Sequence, residues 1–245
     1  MALISIITVT YNAGDVIGKT MESLASQTYM DFEHIVIDGA STDKTLDIIS
    51  QYSLPNTKII SEKDKGLYDA MNKGLRHSTG KYVLFLNAGD AFHAPTTLAD
   101  YLEQALKNVD IIYGDTIVVN KDGVCLGPRH LSAPRKLTKN SFSNGMLICH
   151  QAFMVKKELT EEYDMNYRFS ADYDWCVKCI NNARPDKCIN LKSVTIDYLS
   201  DGLTDKNKKA SLKERFRIMK THYGLPLTIM KHIGFALRAL RRGKI

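Results

Sequence analysis

Four clusters of polar residues in the first ninety residues could bind a nucleotide and a metal ion. The clusters are residues 10–12, 38–41, 61–64 and 87–90, and each follows a short run rich in β-branched residues. A carboxylate at the end of such a run, as at Asp38, can accept hydrogen bonds from a base edge or a ribose. Carboxylate and amide oxygens also suit hard cations such as Mg²⁺ and Mn²⁺. The clusters therefore point to nucleotide binding.

The elements that must position these clusters alternate between strands and amphipathic helices. Ligands in open α/β sheets bind outside the carboxyl ends of the strands, so one crevice could collect all four clusters. The pattern predicts an α/β fold with a mainly parallel nucleotide-binding sheet flanked by helices. We predict strands at residues 3–10, 33–38, 57–61 and 82–86, and helices at residues 15–27, 43–51, 67–77 and 96–106.

The pattern changes after residue 110. Residues 127–143 show little periodicity and form either a mobile loop over the site or an ordered surface connection. We expect one catalytic domain over residues 1–205, with a nucleotide-binding half to about residue 110 and an acceptor half after it, and a basic helical tail over 206–245. We predict strands at 111–114, 116–119, 148–155 and 189–198, a turn at 121–123, and helices at 171–182 and 212–223.

The composition is that of an ordinary globular protein, with 44% hydrophobic and 24% charged residues. These values exclude a disordered or collagen-like chain. Five cysteines at irregular spacing argue against a disulfide framework and favour a reducing compartment, and the pair Cys176 and Cys179 lacks the second pair that a zinc site needs. The N-terminal run lacks a basic region, and no window approaches the ~18 apolar residues of a spanning helix, so we expect neither a signal peptide nor an integral membrane protein.

The positive charge is concentrated in the predicted tail. The whole chain carries +6, whereas residues 206–245 contain 12 lysines and arginines against one acid, Glu214. In the predicted helix that begins at Leu225, one face is apolar and the opposite face is basic, which suits an anionic membrane surface. Phe235 interrupts the basic face, so the helix could instead pack on the domain or on another subunit. Nucleic acid is disfavoured because the rest of the chain is acidic and no nucleic-acid-binding motif is present. The apolar face comprises Leu225, Ile229, Ile233, Ala236, Leu237 and Leu240, and the basic face comprises Lys231, Arg238, Arg241 and Arg242.

Four segments together resemble family 2 glycosyltransferases of the GT-A fold. Residues 5–12 and the turn at 38–43 are similar to the first two motifs of that family. Residues 64–74 resemble the segment before its metal-binding strand, and residues 80–90 occupy the place of its Asp-x-Asp motif. The similarity covers roughly residues 3–205 and is specific as a set.

The resemblance implies a role for each polar cluster. The side chains of Thr8, Tyr11 and Asp38 are expected to contact the nucleoside, and Asp64 to lie near the base or ribose. Asp90 is expected to hold Mn²⁺ or Mg²⁺ against the diphosphate. The metal motif departs from the family pattern, because Asn87 and Gly89 stand beside a single acid, so waters and substrate phosphates would complete the metal shell. We also expect Asn87 to be one of the nucleotide-binding residues.

The acceptor side is implied by two further motifs. Residues 170–175 resemble an acidic pair, usually Glu-Asp, whose aspartate removes the acceptor proton, and Asp172 matches that catalytic base. The first acid of the pair is Ala171 here, so its role is lost or taken by Asp174. His150 and Gln151 resemble a pair that lines the acceptor side, although packing in the core is a competing interpretation for His150.

These features together predict a transferase, and the family resemblance implies that it is an inverting one. It would move a sugar from a nucleoside diphosphate donor, with UDP favoured, to an acceptor hydroxyl of a saccharide or a lipid-linked saccharide. We expect a role in bacterial surface polysaccharide or lipid-linked oligosaccharide synthesis, in the cytoplasm or at the inner face of the plasma membrane, and an oligomer remains open. Two alternatives are a degenerate sugar-nucleotide-binding or scaffold protein, and a sugar nucleotidyltransferase, although residues 11–15 lack the glycine-rich phosphate loop of the latter.

Overall fold

One sheet forms the centre of the computed structural model, which describes residues 2–52, 54–200 and 207–241. Within these residues the sheet contains nine strands. The strands are β1 (Ile4–Thr10), β2 (Glu33–Asp38), β3 (Thr57–Ser61), β4 (Tyr82–Phe85), β5 (Ala91–Phe92), β6 (Ile111–Val119), β7 (Cys125–Pro128), β8 (Phe153–Lys156) and β9 (Cys188–Leu199). The helices are α1 (Ile17–Ala25), α2 (Thr45–Gln51), α3 (Leu67–His77), α4 (Thr97–Leu106), α5 (Ala171–Asn182), α6 (Lys208–Tyr223) and α7 (Leu225–Arg241). The α/β class predicted from the sequence is confirmed.

The strand order explains why the polar clusters meet. The order is β3-β2-β1-β4-β8-β6-β9-β5, with β7 paired to β6. β1 pairs in parallel with both β2 and β4, and β2 pairs in parallel with β3. Their carboxyl ends consequently lie at the same edge of the sheet. β8 is antiparallel to both β4 and β6, so the direction of the sheet changes at that point.

The first strand is buried along its whole length, which fits its run of apolar and hydroxyl residues. Helix α3 approaches it closely at Gly74, where a side chain would collide with Ile7. Gly114 has a similar role in β6, because a side chain there would collide with Thr195 of β9. β6 therefore runs through Gly114 as one strand, although the sequence predicts two.

Two predicted segments take a different form. The predicted strand 148–155 begins only at Phe153, because His150–Ala152 form a 3-10 helix that buries all three side chains. The aperiodic segment 127–143 is an ordered connection, since Leu137 and Phe142 on it are fully buried. Its periodicity is weak because it reaches the core at single residues and not along a face.

The two last helices lie against the preceding part of the chain. α6 begins at Lys208, earlier than predicted, and packs on α5, while α7 packs on α6. The expected boundary at residue 205 and the basic residue Arg242 lie outside the described residues. Among the helices that the structure describes, none combines the length and the apolar character needed to span a bilayer.

Candidate functional site

An exposed aromatic ring and a carboxylate lie together at the ends of β1 and β3. The ring of Tyr11 is 65% exposed. Gly39, after β2, faces both groups, since a Cβ on it would lie 3.1 Å from Asp64 Oδ2 and 3.2 Å from Tyr11 Cδ2. We call these three residues the Tyr11–Asp64 corner. An open ring beside a carboxylate can stack on a nucleobase and accept a hydrogen bond from the base or the ribose.

Lys73 on α3 forms an ion pair with the Asp64 carboxylate of this corner. Lys73 Nζ lies 2.5 Å from Asp64 Oδ1 and 2.9 Å from Glu62 Oε1. Burial opposes the charge of Lys73, but the hydrogen bonds to Asp64 and Glu62 raise its pKa above the ordinary value. Lys73 contacts Oδ1 of Asp64, and the other carboxylate oxygen, Oδ2, faces Gly39.

Asp38 on β2 and Thr8 on β1 are buried side chains. Asp38 is fully buried and accepts hydrogen bonds from the backbone N–H of Ser41 at 3.0 Å and from the Ser61 hydroxyl at 2.6 Å. These bonds fix the turn after β2, and nucleoside binding by Asp38 stays a prediction. Thr8 is also fully buried, with Oγ1 3.0 Å from His34 Nε2. The structure gives no support to the predicted nucleoside contact of Thr8, because its hydroxyl is engaged inside the sheet.

Asp90 is a buried carboxylate in the turn between β4 and β5. Its Oδ1 accepts a hydrogen bond from the Leu199 N–H at 2.9 Å, and the Gln151 side chain also bonds to the carboxyl group. Burial raises the pKa of Asp90 to about 7 against the effect of those bonds. Within the described residues it forms no ion pair with Lys, Arg or His. A carboxylate in this position would be stabilised by a bound cation.

Asn87 offers a second oxygen in the same turn. Its Oδ1 is buried and accepts no hydrogen bond from any described part of the chain. The turn is held by Thr20, whose hydroxyl accepts the N–H of Gly89 at 2.9 Å and donates to the Asp90 carbonyl at 2.8 Å. Asn87 and Asp90 thus fit Mn²⁺ or Mg²⁺, which take hard oxygen ligands. No group of three or more His, Cys, Asp or Glu in the described ranges could hold a metal, so such an ion would need water and phosphate ligands as well.

Asp172 lies in the first turn of α5 and is half-buried. Its Oδ1 accepts hydrogen bonds from the Tyr68 hydroxyl at 3.1 Å and from the Tyr173 N–H at 2.9 Å. Both bonds use the same oxygen, which leaves Oδ2 available to a substrate hydroxyl. Burial raises the pKa of Tyr68, and the charge of Asp172 raises it further, so Tyr68 acts as a donor to Asp172 at neutral pH.

The segment that carries Asp172 is fixed by α6. Glu214 accepts hydrogen bonds from the N–H groups of Arg168 and Phe169, at 2.9 and 2.8 Å. The hydroxyl groups of Ser170 and Ser211 lie 2.8 Å apart. These contacts hold the chain immediately before α5, so the orientation of the first turn depends on a helix some forty residues later in the sequence.

His150 and Gln151 do not face the acceptor side together. His150 is buried among aromatic rings, with its ring centroid 4.8 Å from Phe85 and its Nε2 2.6 Å from the Tyr163 hydroxyl. Burial lowers the pKa of His150 to about 4, so the ring is neutral at pH 7. This placement favours core packing, the competing interpretation. The Gln151 side chain bonds to the Asp90 carboxyl group and so helps to orient it.

Both carboxylate oxygens of Asp174 are engaged inside the protein, and its place on the acceptor side stays a prediction. The side chain is buried, with Oδ1 2.7 Å from His222 Nε2 and Oδ2 2.9 Å from Lys178 Nζ. Burial tends to raise the pKa of Asp174, but the hydrogen bonds to His222 and Lys178 lower it below the ordinary value. Both oxygens are engaged because α6 packs over this turn of α5.

The variant Asp174→Asn should lower the free energy of unfolding by about 2 kcal/mol at pH 7, because two charged hydrogen bonds are weakened. A carboxyl group with a lowered pKa contributes stability above its unfolded pKa of about 4, and loses it as the pH falls through the folded pKa. The difference between the variant and the unmodified protein should therefore shrink below about pH 4. Urea unfolding across this pH range measures it. The exposed control Asp122→Asn should change stability by less than about 0.5 kcal/mol at every pH.

Several residues of the site lie outside the sequence predictions. Tyr68 and Lys73 fall within the segment 64–74 that the family resemblance selects, so their types could have been considered there. The contacts of the Leu199 N–H and of the Thr20 hydroxyl could not be predicted from the sequence. A backbone donor and a single threonine form no recognisable motif.

Comparisons with known proteins agree with this geometry. The profile described as Glycosyl transferase family 2 matches residues 5–164. The PGL/p-HBAD biosynthesis glycosyltransferase of Mycobacterium tuberculosis is 35% identical over 189 residues, which is 74% of this chain and 70% of the relative. Two solved structures share the fold at low sequence identity.

The first of them is S. aureus TarS 1-349 in complex with UDP-GlcNAc, with a TM-score of 0.71 and 22% identity. The match covers 91% of this chain, and this chain spans 65% of that one. The second is glucosyl-3-phosphoglycerate synthase from Mycobacterium tuberculosis in complex with Mn²⁺, UDP and glucosyl-3-phosphoglycerate, with a TM-score of 0.65 and 13% identity. That match covers 92% of this chain and 81% of the synthase.

Proposed function

The chain belongs to glycosyl transferase family 2, and we propose that it moves a sugar from a UDP-sugar to an acceptor hydroxyl with inversion at the anomeric carbon. The observation that carries this proposal is the placement of Asp90 and Asp172 around one buried segment. The Gln151 side chain bonds to the Asp90 carboxyl group, and the Cys149 thiol donates to Gln151 Oε1 at 3.0 Å. Asp172 accepts from Tyr68, whose ring stacks on Tyr163, and the Tyr163 hydroxyl lies 2.6 Å from His150 Nε2. The contacts of both carboxylates therefore lead to the segment 149–151. A metal carboxylate and a general base close to one point are what a sugar transfer requires.

The donor would bind across the edge formed by β1 to β4. The Tyr11–Asp64 corner would hold the nucleoside, and the end of β4 would receive the diphosphate. UDP is favoured because the TarS 1-349 structure and the glucosyl-3-phosphoglycerate synthase structure each contain a uridine nucleotide. Asp38 would act through the turn that it fixes, and the type of sugar is set by residues that the proposal does not assign.

Asp90 and Asn87 would hold the metal ion. Mn²⁺ or Mg²⁺, when bound there, would neutralise charge on the leaving diphosphate. Gln151 and the Leu199 N–H would keep the Asp90 carboxylate oriented. The Mn²⁺ in the related synthase structure supports this assignment.

Asp172 would be the general base. Its Oδ2 accepts the proton of the acceptor hydroxyl while the acceptor oxygen forms a bond to the anomeric carbon. The bond between that carbon and the diphosphate oxygen breaks, and its electron pair leaves with the nucleoside diphosphate. Tyr68 and the Tyr173 N–H would hold Oδ1 and fix the direction of the carboxylate.

The acceptor would be a saccharide, free or linked to a lipid, in the synthesis of a bacterial surface glycan. The relative from Mycobacterium tuberculosis, whose name assigns it to PGL/p-HBAD biosynthesis, supports this class of acceptor. We place the reaction in the cytoplasm, or at the inner face of the plasma membrane.

A sugar-nucleotide-binding protein without catalysis is the second candidate, because the metal motif has only one acid. Thermal unfolding with UDP or GDP, each with and without Mn²⁺, tests donor binding. UDP with Mn²⁺ should raise the apparent stability by about 2.7 kcal/mol at a hundredfold excess over Kd, and GDP should raise it less. Mn²⁺-dependent release of sugar from the bound donor then distinguishes the enzyme from the binding protein. A larger shift with GDP would contradict the choice of base.

A further inference from the structure

Helix α7 presents a row of apolar side chains to solvent. Successive turns of the helix place these residues on one side, at spacings of three and four residues. Their exposed fractions lie between 45% and 60%, which is unusual for so many large apolar residues on one helix. We call them the α7 row, and its members are Ile229, Met230, Ile233, Leu237 and Leu240.

The other side of α7 is packed against the protein, which fixes the direction of the row. Thr228 is fully buried, and its hydroxyl donates to the Gly224 carbonyl at 2.8 Å. The ring of His232 lies 4.9 Å from Phe216 of α6 and 5.3 Å from Phe235. Phe235, which interrupts the basic face in the sequence, is thus the residue that faces the domain. The apolar face does not pack on its own domain within the described residues.

The charge of α6 and α7 indicates which kind of surface the α7 row would bind. α6 and α7 together contain nine lysines and arginines and one acid, Glu214. Arg238 is exposed and lies 5.0 Å from the Phe235 ring, at the border of the row. A second copy of the chain would bring two strongly basic surfaces together, which like-charge repulsion disfavours. An anionic surface with an apolar interior would attract the basic side chains and would bury the apolar side chains of the α7 row.

We propose that the α7 row inserts into the headgroup region of an anionic lipid bilayer. The helix would lie in the plane of the membrane, with Arg238 beside the lipid phosphates. Lys231 Nζ lies 2.7 Å from Asn144 Oδ1, in the 3-10 helix Ser141–Asn144. Tyr173, next to Asp172, donates to the Phe142 carbonyl of that helix. The membrane would therefore meet the protein close to the segment that carries the base. Lipid binding in this form is independent of the proposed sugar transfer.

The test is sedimentation of the full chain with vesicles. The unmodified protein should sediment with vesicles of equal phosphatidylglycerol and phosphatidylcholine, but not with phosphatidylcholine alone, and binding should weaken as the salt concentration rises. The double variant Ile233→Glu/Leu237→Glu should bind at least tenfold more weakly. Both positions are exposed, so circular dichroism should show an unchanged fold. Leu106→Glu, on α4 at a side chain 70% exposed, is the matched control and should bind like the unmodified protein.

Three results would overturn the proposal. The first is no sedimentation of the unmodified protein with anionic vesicles. The second is an equal loss of binding by the Leu106→Glu control, which would show that any added acid is sufficient. The third is a dimer in analytical ultracentrifugation that the double variant dissociates, which would make the row an interface between two copies.

Discussion

The variant Asp172→Asn should lose sugar transfer by about 10²-fold or more and keep its affinity for UDP, because only the proton acceptor is removed. The asparagine Oδ1 can still accept hydrogen bonds from the Tyr68 hydroxyl and the Tyr173 N–H, so the side chain should keep its orientation. An amide at the place of Oδ2 has no useful basicity. Turnover with donor and acceptor, together with calorimetric titration of UDP and Mn²⁺, measures the two effects separately.

Asp174→Asn is the matched control for this prediction. It makes the same chemical change two residues later on the same helix, at a side chain whose oxygens are engaged by His222 and Lys178. The control should lose stability and keep turnover at a temperature where it is folded. Near-native turnover of Asp172→Asn would show that the proton goes to another group.

The variant Asp90→Ala should abolish metal-dependent transfer, with a loss of about 10³-fold or more. The charge stabilisation that a metal gives to a leaving group is worth several kcal/mol, and each 1.36 kcal/mol is a factor of ten in rate. UDP should bind the variant as weakly with Mn²⁺ as without it. Titration of UDP in Mn²⁺ and in excess chelator checks this, and turnover gives the rate.

Asn87→Ala provides a graded comparison. It removes one neutral oxygen from the same turn and keeps the carboxylate of Asp90, so its effect on the Mn²⁺ dependence should be smaller. Asp90→Asn keeps the size of the side chain and separates loss of charge from loss of packing. Full activity of the unmodified protein in excess chelator would contradict a metal role for Asp90.

The nucleotide half of the fold could be predicted because its signals are local. β1 is buried on all seven residues, and a parallel strand covered on both faces appears in the sequence as a continuous run. The polar cluster after each run then falls at the same sheet edge by topology alone. Tyr11, Asp64 and Asp90 follow β1, β3 and β4 in the chain, and their contacts with ligands stay predictions.

The rest depends on partners distant in the sequence. Asp174 and Asp172 have the same type and occupy the same helix turn, but their partners differ. His222 on α6 and Lys178 engage Asp174, whereas the Tyr68 hydroxyl donates to Asp172. The segment 148–155 is apolar enough for a strand, but the aromatic cluster around His150 holds its middle as a 3-10 helix. The apolar face of α7 was visible in the sequence, whereas its direction depends on how Thr228 and Phe235 pack.

Because α6 fixes the start of α5, it also sets the order in which parts of the protein fold during translation. The residues of the Tyr11–Asp64 corner all precede residue 65, so this corner can form early as the chain leaves the ribosome. The segment 168–174 forms hydrogen bonds with Ser211, Glu214 and His222, which emerge much later. A nascent chain would thus form the Tyr11–Asp64 corner before the segment of the proposed base is fixed, and the proposed transfer would begin only after translation has passed α6.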